Sequence, residues 1–443
     1  MLLEGWGRYP RFESEALGLG DPLAVPGLVA SSRGIIARGN GRAYGDAAIG
    51  TRRTLGALGL DRMKAFDPQS GRLTVEAGML LSDILAAFLP RGFFPPVVPG
   101  TKLVTVGGMI AADVHGKNHH RDGSFGDHLE QLTLVLPSGQ AVACGPSENA
   151  DLFRATVGGM GLTGIITGAT FRMKPVETGW IRQRTIVAKD LAGALKALDD
   201  SDAATYSVAW IDCVARGAGL GRSLIFAGEH ATRQEVSSER PDAPLLPLAS
   251  PGRLGVPFDL PAMTLNKASV AAFNELYFRR GARNGDKPFL THWHPYFFPL
   301  DGVDRWNRIY GRRGFLQHQC VVPPATAHAA LAEILDRITR SGKASFLAVL
   351  KKMGAGGSLM SFPMPGYTLA LDLRVTDETF ALLDQIDRIV VAAGGRLYLA
   401  KDARQSRQTF EAGYPTLGRF NDLRSAIGAP GHMASHLSSR LGI

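Results

Sequence analysis

The sequence predicts an α+β protein, and two observations carry that reading. The N-terminal part sets glycine-rich turns between short strands and helices, whereas from about Trp180 the chain turns to longer alternating strands with two helical segments among them. In order, Gly34-Ile35-Ile36 ends a strand, Arg72 to Gly78 forms another, and Leu80 to Leu89 a short helix. Gln131 to Pro137 and Gln140 to Cys144 make a hairpin turning at Ser138-Gly139, and Leu162 to Met173 closes this region as a strand. Further strands are expected at Ile181–Val187, Thr205–Cys213, Ser223–Ala227, Gly314–Val322, Ser345–Leu350 and Tyr367–Leu373, with helices at Ala325–Ser341 and Asp377–Ala393. The division expected is 1–178, 179–395 and a C-terminal return over 396–443. Ser237 to Pro261 carries six prolines and no periodicity, so a flexible lid is expected at 237–261; its leucines Leu245, Leu246, Leu248 and Leu254 suit a lipid tail, a membrane surface or a plain loop.

Composition narrows the class. With 443 residues, 45% apolar and 20% charged, the chain can hold two to three ordinary cores. Its 53 glycines suit a backbone wrapped around a large ligand. Three cysteines, Cys144, Cys213 and Cys320, without C-x-x-C spacing indicate neither a disulfide framework nor a zinc ribbon, and point to a reducing compartment. No apolar run approaches the roughly 18 residues of a membrane span, and no leader is expected ahead of Trp6. The net charge of +9 favours acidic partners, but the arginines are scattered and no nucleic-acid motif accompanies them.

Two stretches carry the chemistry. ARGNGRAYGD, Ala37 to Asp46, is a tight concave loop; its glycine order and the lack of a helical stripe after it exclude a Rossmann crossover. VVPGTKLVTVGGMIAADVHGKNHHRDGSFG, Val97 to Gly126, joins a diglycine turn to His115, Lys117, Asn118, His119 and His120. Such glycines let amides face an anionic ligand, although a structural turn needs them too. His115, His119 and His120, with Asp113 or Asp127, could also be metal ligands; adjacent histidines on an extended loop point apart, and no metal is expected.

These two stretches, ATVGGMGLTGII (Ala155 to Ile166) and GGRLYLAKDAR (Gly394 to Arg404) occur in the order seen in FAD-linked oxidases of the vanillyl-alcohol oxidase type, the PCMH-type FAD-binding superfamily. Within it the chain resembles the oxidase subunit of decaprenylphosphoryl-β-D-ribose 2′-epimerase, from Trp6 almost to the C-terminus, with HGKNHH the specific string. The resemblance implies a two-lobed FAD-binding domain and a substrate domain on an antiparallel sheet flanked by helices. It places FAD against Gly39, Asn40, Gly41, Arg42, Ala43, Tyr44, Gly100, Thr101, Val104, Gly107, Gly108, His115, Met160, Gly161, Gly164, Ile166 and Tyr398. Arg42 stands where covalent members carry a histidine, which implies non-covalent FAD. Lys117, Gln317, Gln319, Lys351, Thr368, Ala370 and Lys401 map onto the substrate pocket, and Lys401, His115 and Tyr44 onto the catalytic positions.

The residues themselves support parts of this map. A lysine desolvated beside a flavin can act as a base, so Lys401 is the candidate, against a surface pairing with Asp402. Gln317 and Gln319 alternate, so both amides share one strand face; a solvent-facing strand would show the same pattern. Ala370 stands where actinobacterial members have cysteine, Thr368 where they have asparagine, and Tyr296-Phe297-Phe298 replaces a tyrosine-histidine pair. The implied activity is oxidation of the 2′-hydroxyl of a polyprenyl-phosphoryl-β-D-ribose to the 2′-keto sugar, the first half of epimerisation to arabinose. The implied partner is a separate NAD(P)H-dependent short-chain reductase. A cytoplasmic location is expected, with room for peripheral contact at the inner face of an anionic plasma membrane. The alternatives are an FAD oxidase of free alditols or aldonolactones, and a flavin-binding scaffold without activity.

Overall fold

The computed structural model describes residues 1–249, 254–261, 264, 266–283, 285–343, 345 and 347–443. Its organising element is an eight-stranded antiparallel sheet with the strand order Phe289–His292, Trp180–Ala188, Ser223–His230, Tyr206–Ile211, Ala348–Met353, Gly366–Arg374, Phe315–Val322 and Arg396–Leu397. Strand alternation decides which residues go where. In Gly366–Arg374, Tyr367, Leu369, Leu371 and Leu373 join one apolar core, leaving Thr368, Ala370 and Asp372 for the opposite face.

That core is closed by three helices. Pro324–Ser341 presents Ala327, Ala330, Leu331, Ile334, Leu335 and Ile338, a stripe at three- and four-residue spacing. Asp377–Ala392 starts at Thr376, whose side chain accepts from the Thr379 amide, and buries Leu382, Leu383, Ile386 and Val390. Leu191–Asp199 is capped by Asp190 and buries Leu191, Ala194, Leu195 and Leu198. All three pack on one face of the sheet, so the other is free to form a site.

Two smaller sheets precede it. Glu15–Gly18, Arg53–Gly56 and Ile35–Arg38 form a parallel trio in that order. Ala141–Cys144, Leu129–Val135, Ile165–Arg172, Arg72–Glu76 and Met63–Asp67 form an antiparallel five. The chain ends stitch these sheets to the large one. Trp6 and Gly7 donate their amides to the carbonyls of Ala43 and Tyr44 at 2.8 and 3.0 Å, and the Phe315 amide donates to Gly7 at 2.8 Å. The Tyr44 amide donates to the Ala400 carbonyl at 3.0 Å. Arg440 bridges two buried carboxylates, Asp46 and Asp402, at 2.9 Å each.

Three expectations change. The strand expected at Ser345–Leu350 is Ala348–Met353, so Lys351 lies inside it and is aimed by the pleat; position 346 lies outside the described residues. The HGKNHH segment is not wholly extended, because His119–Asp122 makes one helical turn. The stretch expected to be a flexible lid has fixed partners over much of its length, since buried indole N–H groups need acceptors. Trp180 Nε1 donates to the Pro244 carbonyl at 2.9 Å and Trp293 Nε1 to that of Pro247 at 2.8 Å. Leu245 and Leu246 pack on apolar clusters, whereas Leu248 and Leu254 are exposed. Residues 250–253 of that stretch lie outside the described residues.

Arg440→Ala leaves Asp46 and Asp402 buried without their cation, Asp402 keeping only its backbone donors, a loss of about 3 kcal/mol. The expected outcome is a melting temperature of the FAD-loaded protein lower by a few degrees; an unchanged transition would show that the bridge does not hold the C-terminal segment.

Candidate active site

Between the glycine loops and the open face of the large sheet lies a cavity of about 840 Å³. Every site residue named from the sequence lines it. One wall is main chain: Gly39 to Tyr44, then Gly100, Thr101 and Val104, then Gly107 and Gly108, then Met160, Gly161, Gly164 and Ile166. The opposite wall is the sheet, with Gln317, Gln319, Lys351, Thr368 and Ala370. His115, Lys117, Tyr398 and Lys401 lie where the walls meet.

The loop wall suits an extended anionic ligand. The amides of Asn40, Gly41, Arg42 and Ala43 donate to no protein acceptor among the described residues, a cost that a ligand oxygen would relieve. Arg42 Nε is likewise buried without a partner, and its guanidinium lies 4.0 Å above the Trp6 ring. Asn40 ties the first loop to the second by donating to the Leu103 carbonyl at 2.9 Å. Two glycines do different work. A side chain at Gly39 would meet Thr105 Oγ1 at 2.2 Å, so that glycine lets the loops approach each other, whereas one at Gly100 would meet nothing within 4 Å.

The sheet wall is polar because of its period. Gln319 is paired in register with Ala370, and Lys351 with Thr368. The Gln319 carboxamide lies 2.9 Å from His115 Nε2 and 3.1 Å from Thr368 Oγ1, while Lys351 Nζ lies 3.1 Å from His115 Nδ1. Both imidazole nitrogens are thus engaged, and burial with Lys351 nearby holds His115 neutral, far below the ordinary histidine range.

Three lysines converge on the cavity. Burial lowers Lys117 to about 8 and, with Lys117 and Lys401 nearby, Lys351 to about 7. Lys117 Nζ donates to the Phe297 carbonyl at 3.2 Å and faces the Tyr296 ring at 5.6 Å. Lys401 Nζ lies 3.8 Å above the centre of the Tyr44 ring. Burial pulls its pKa down and the Asp372 carboxylate partly offsets this. The surface pairing with Asp402 does not form: Asp402 is taken by the amides of Arg404 and Gln405 and by Arg440.

The histidines diverge. The His119 ring lies 6.2 Å from that of His115 and accepts from the Gly354 amide at 3.1 Å, and His120 Nε2 lies 2.9 Å from the Ala204 carbonyl. Among the described residues no three histidine, cysteine or carboxylate side chains are grouped as a metal centre would need.

Sequence reasoning missed Asp372, Trp6 and Asp301. Asp372 accepts from Gln317 Nε2 at 2.5 Å, its other oxygen is buried without a partner, and desolvation raises its pKa. The period-two step from Thr368 to Ala370 to Asp372 could have found it. Trp6 and Asp301, which lines the cavity and accepts from the Lys102 amide at 2.8 Å, come from distant chain positions and left no local signal.

An amide-rich loop wall facing a polar sheet suits an FAD-binding oxidoreductase, and the model of the FAD binding domain matches residues 28–145. The chain is 37% identical to the decaprenylphosphoryl-β-D-ribose oxidase of Mycolicibacterium smegmatis, over 99% of this chain and 97% of that relative. An uncharacterised Streptomyces coelicolor protein is 35% identical over 80% of this chain and 97% of its own length. A D-arabinono-1,4-lactone oxidase of Yarrowia lipolytica is 29% identical over 30% of this chain and 26% of its own. The chain belongs to the decaprenylphosphoryl-β-D-ribose oxidase family of FAD-dependent oxidoreductases.

Arg42→Ala removes the one charged donor on the loop wall. FAD affinity should fall about 10- to 100-fold, as for other charged hydrogen bonds, measured by the flavin absorbance retained after gel filtration; full retention would place the anion elsewhere.

Proposed function

We propose that this chain oxidises the 2′-hydroxyl of a polyprenyl-phosphoryl-β-D-ribose to the 2′-keto sugar, as its Mycolicibacterium smegmatis relative's name describes for a ribose oxidase. The observation that carries the reading is the opposition of the amide-rich loop wall to Gln317, Gln319 and three half-buried lysines across one cavity. In this reading 1–178 and 396–443 hold FAD without a covalent bond, and the sheet of 179–395 holds the sugar. His115 already spends both ring nitrogens on Gln319 and Lys351, which supports a non-covalent cofactor.

Bound FAD would supply the hydride acceptor for C2′. The chain supplies the rest. Gln317 and Gln319, on one strand face, hold sugar hydroxyls through their amides. Lys117 and Lys351 face the phosphate. Neutral Lys401 takes the hydroxyl proton, and the resulting ammonium is stabilised by the Tyr44 ring beneath it and by Asp372. Water is excluded by Trp210, Phe226 and Phe297 around the sheet end of the cavity.

A separate NAD(P)H-dependent short-chain reductase then returns hydride to the opposite face of C2′ and completes epimerisation to the arabinose form. No helix among the described residues is long and apolar enough to cross a membrane.

Lys401→Ala should lower the rate of anaerobic flavin reduction by about 100-fold or more while FAD stays bound. In the parent protein the rate should rise with pH, because only the neutral amine accepts a proton. It should level off below the roughly 10.4 of an ordinary lysine. Asp372→Asn removes the carboxylate that favours the ammonium, and should move the plateau to lower pH. A pH-independent rate, or an unaltered rate for Lys401→Ala, would remove the lysine from the reaction. Substrates test the sugar assignment: removing the prenyl-phosphate from ribose should abolish turnover, and equal turnover of free alditols would overturn the reading.

A further inference from the structure

The helix Lys267–Arg283 is patterned inside out. Its buried side chains are Val270 and Asn274, and Asn274 Nδ2 donates to Asp212 Oδ1 at 2.7 Å. Arg222 completes the anchor by reaching Asp212 and Glu275, both at 2.7 Å. A polar clamp thus fixes the helix to the sheet. Its outer stripe, at three- and four-residue spacing, carries Phe273, Leu276 and Tyr277, then Arg280 and Arg283. Leu276 is 69% exposed. A helix that holds the protein with amide and ion pairs while presenting large apolar groups flanked by cations has the layout of an interfacial helix.

The same stripe continues the cavity. Phe273 and Tyr277 line its sheet end beside Trp210, whose ring centre lies 4.9 Å from that of Tyr277. A volume of about 840 Å³ has to accept FAD and a sugar phosphate, so it cannot also enclose a long prenyl chain. The chain must leave through an apolar wall, and two residues of this one, Phe273 and Tyr277, are themselves 46% and 38% exposed. Resting on the function proposed above, we infer that the face of helix Lys267–Arg283 bearing Leu276, Arg280 and Arg283 docks on an anionic lipid bilayer, placing the apolar end of the cavity where a membrane-held prenyl chain enters. The apolar groups would sink below the headgroups, and Arg280 and Arg283 would meet lipid phosphates.

The test uses the full-length FAD-loaded protein and sedimentation with vesicles of phosphatidylcholine, alone or mixed equally with phosphatidylglycerol. Binding is expected to the mixed vesicles and to weaken with salt. Leu276→Glu, and separately Arg280→Glu with Arg283→Glu, should each weaken it about ten-fold or more. Both variants should retain FAD and the parent rate with a short-chain, water-soluble prenyl-phosphoryl ribose, which shows that they are folded. Absence of vesicle binding by the parent protein overturns the inference, and is the result if this face meets another protein instead. Binding that all variants share equally overturns it too. Failure of the oxidase reading is separate: the soluble substrate would then leave the flavin oxidised whatever the vesicles show.

Discussion

The two-residue period of the eight-stranded sheet is the constraint on which the site depends. Once helices cover one face, each central strand must send alternate residues to the other. Because that face is roofed by glycine loops, those residues share an enclosed space. Gln317, Gln319, Lys351, Thr368, Ala370 and Asp372 are placed together by this rule although they come from three strands. A one-residue slip in Phe315–Val322 would exchange Gln319 for Cys320, which is buried in the opposite core.

Electrostatics follow from the same enclosure. Lys117, Lys351 and Lys401 face one volume; desolvation makes each easier to deprotonate than an ordinary lysine, and repulsion from the other two adds to this at Lys351. Such a cluster is costly while empty of anions and becomes favourable when phosphate enters. Asp372 gives the asymmetry, because its carboxylate favours the charged form of Lys401. In the proposed reaction Lys117 and Lys351 bind the phosphate and Lys401 exchanges the proton. On the other wall, amides and Arg42 provide for a second anion, with the Asp301 carboxylate close enough to act on Arg42.

Much of this was legible in the sequence because it is local. Gly39 to Tyr44 and Gly107-Gly108 announce main-chain approach, and alternation in FLQHQ places two glutamines on one face. The helices Pro324–Ser341 and Asp377–Ala392 show their apolar stripes directly. What was not legible is tertiary. Trp6 stacks under Arg42 only because the N-terminal segment pairs with Tyr44 and Phe315. The proline-rich stretch after Glu239 reads as unanchored because its partners, the indoles of Trp180 and Trp293, lie far away in the chain. Lys351 joined its strand only when the sheet fixed that strand's register.

In the proposed reaction the hydrogen on C2′ leaves toward FAD from a sugar held on this sheet. It is tested most directly by anaerobic single-turnover mixing of the holoprotein with a prenyl-phosphoryl ribose carrying deuterium at C2′, following the flavin absorbance. The expected result is bleaching that is slowed several-fold by the label. Bleaching at the same rate with and without deuterium would mean that another bond is broken, and no bleaching would mean that this sugar is not the substrate.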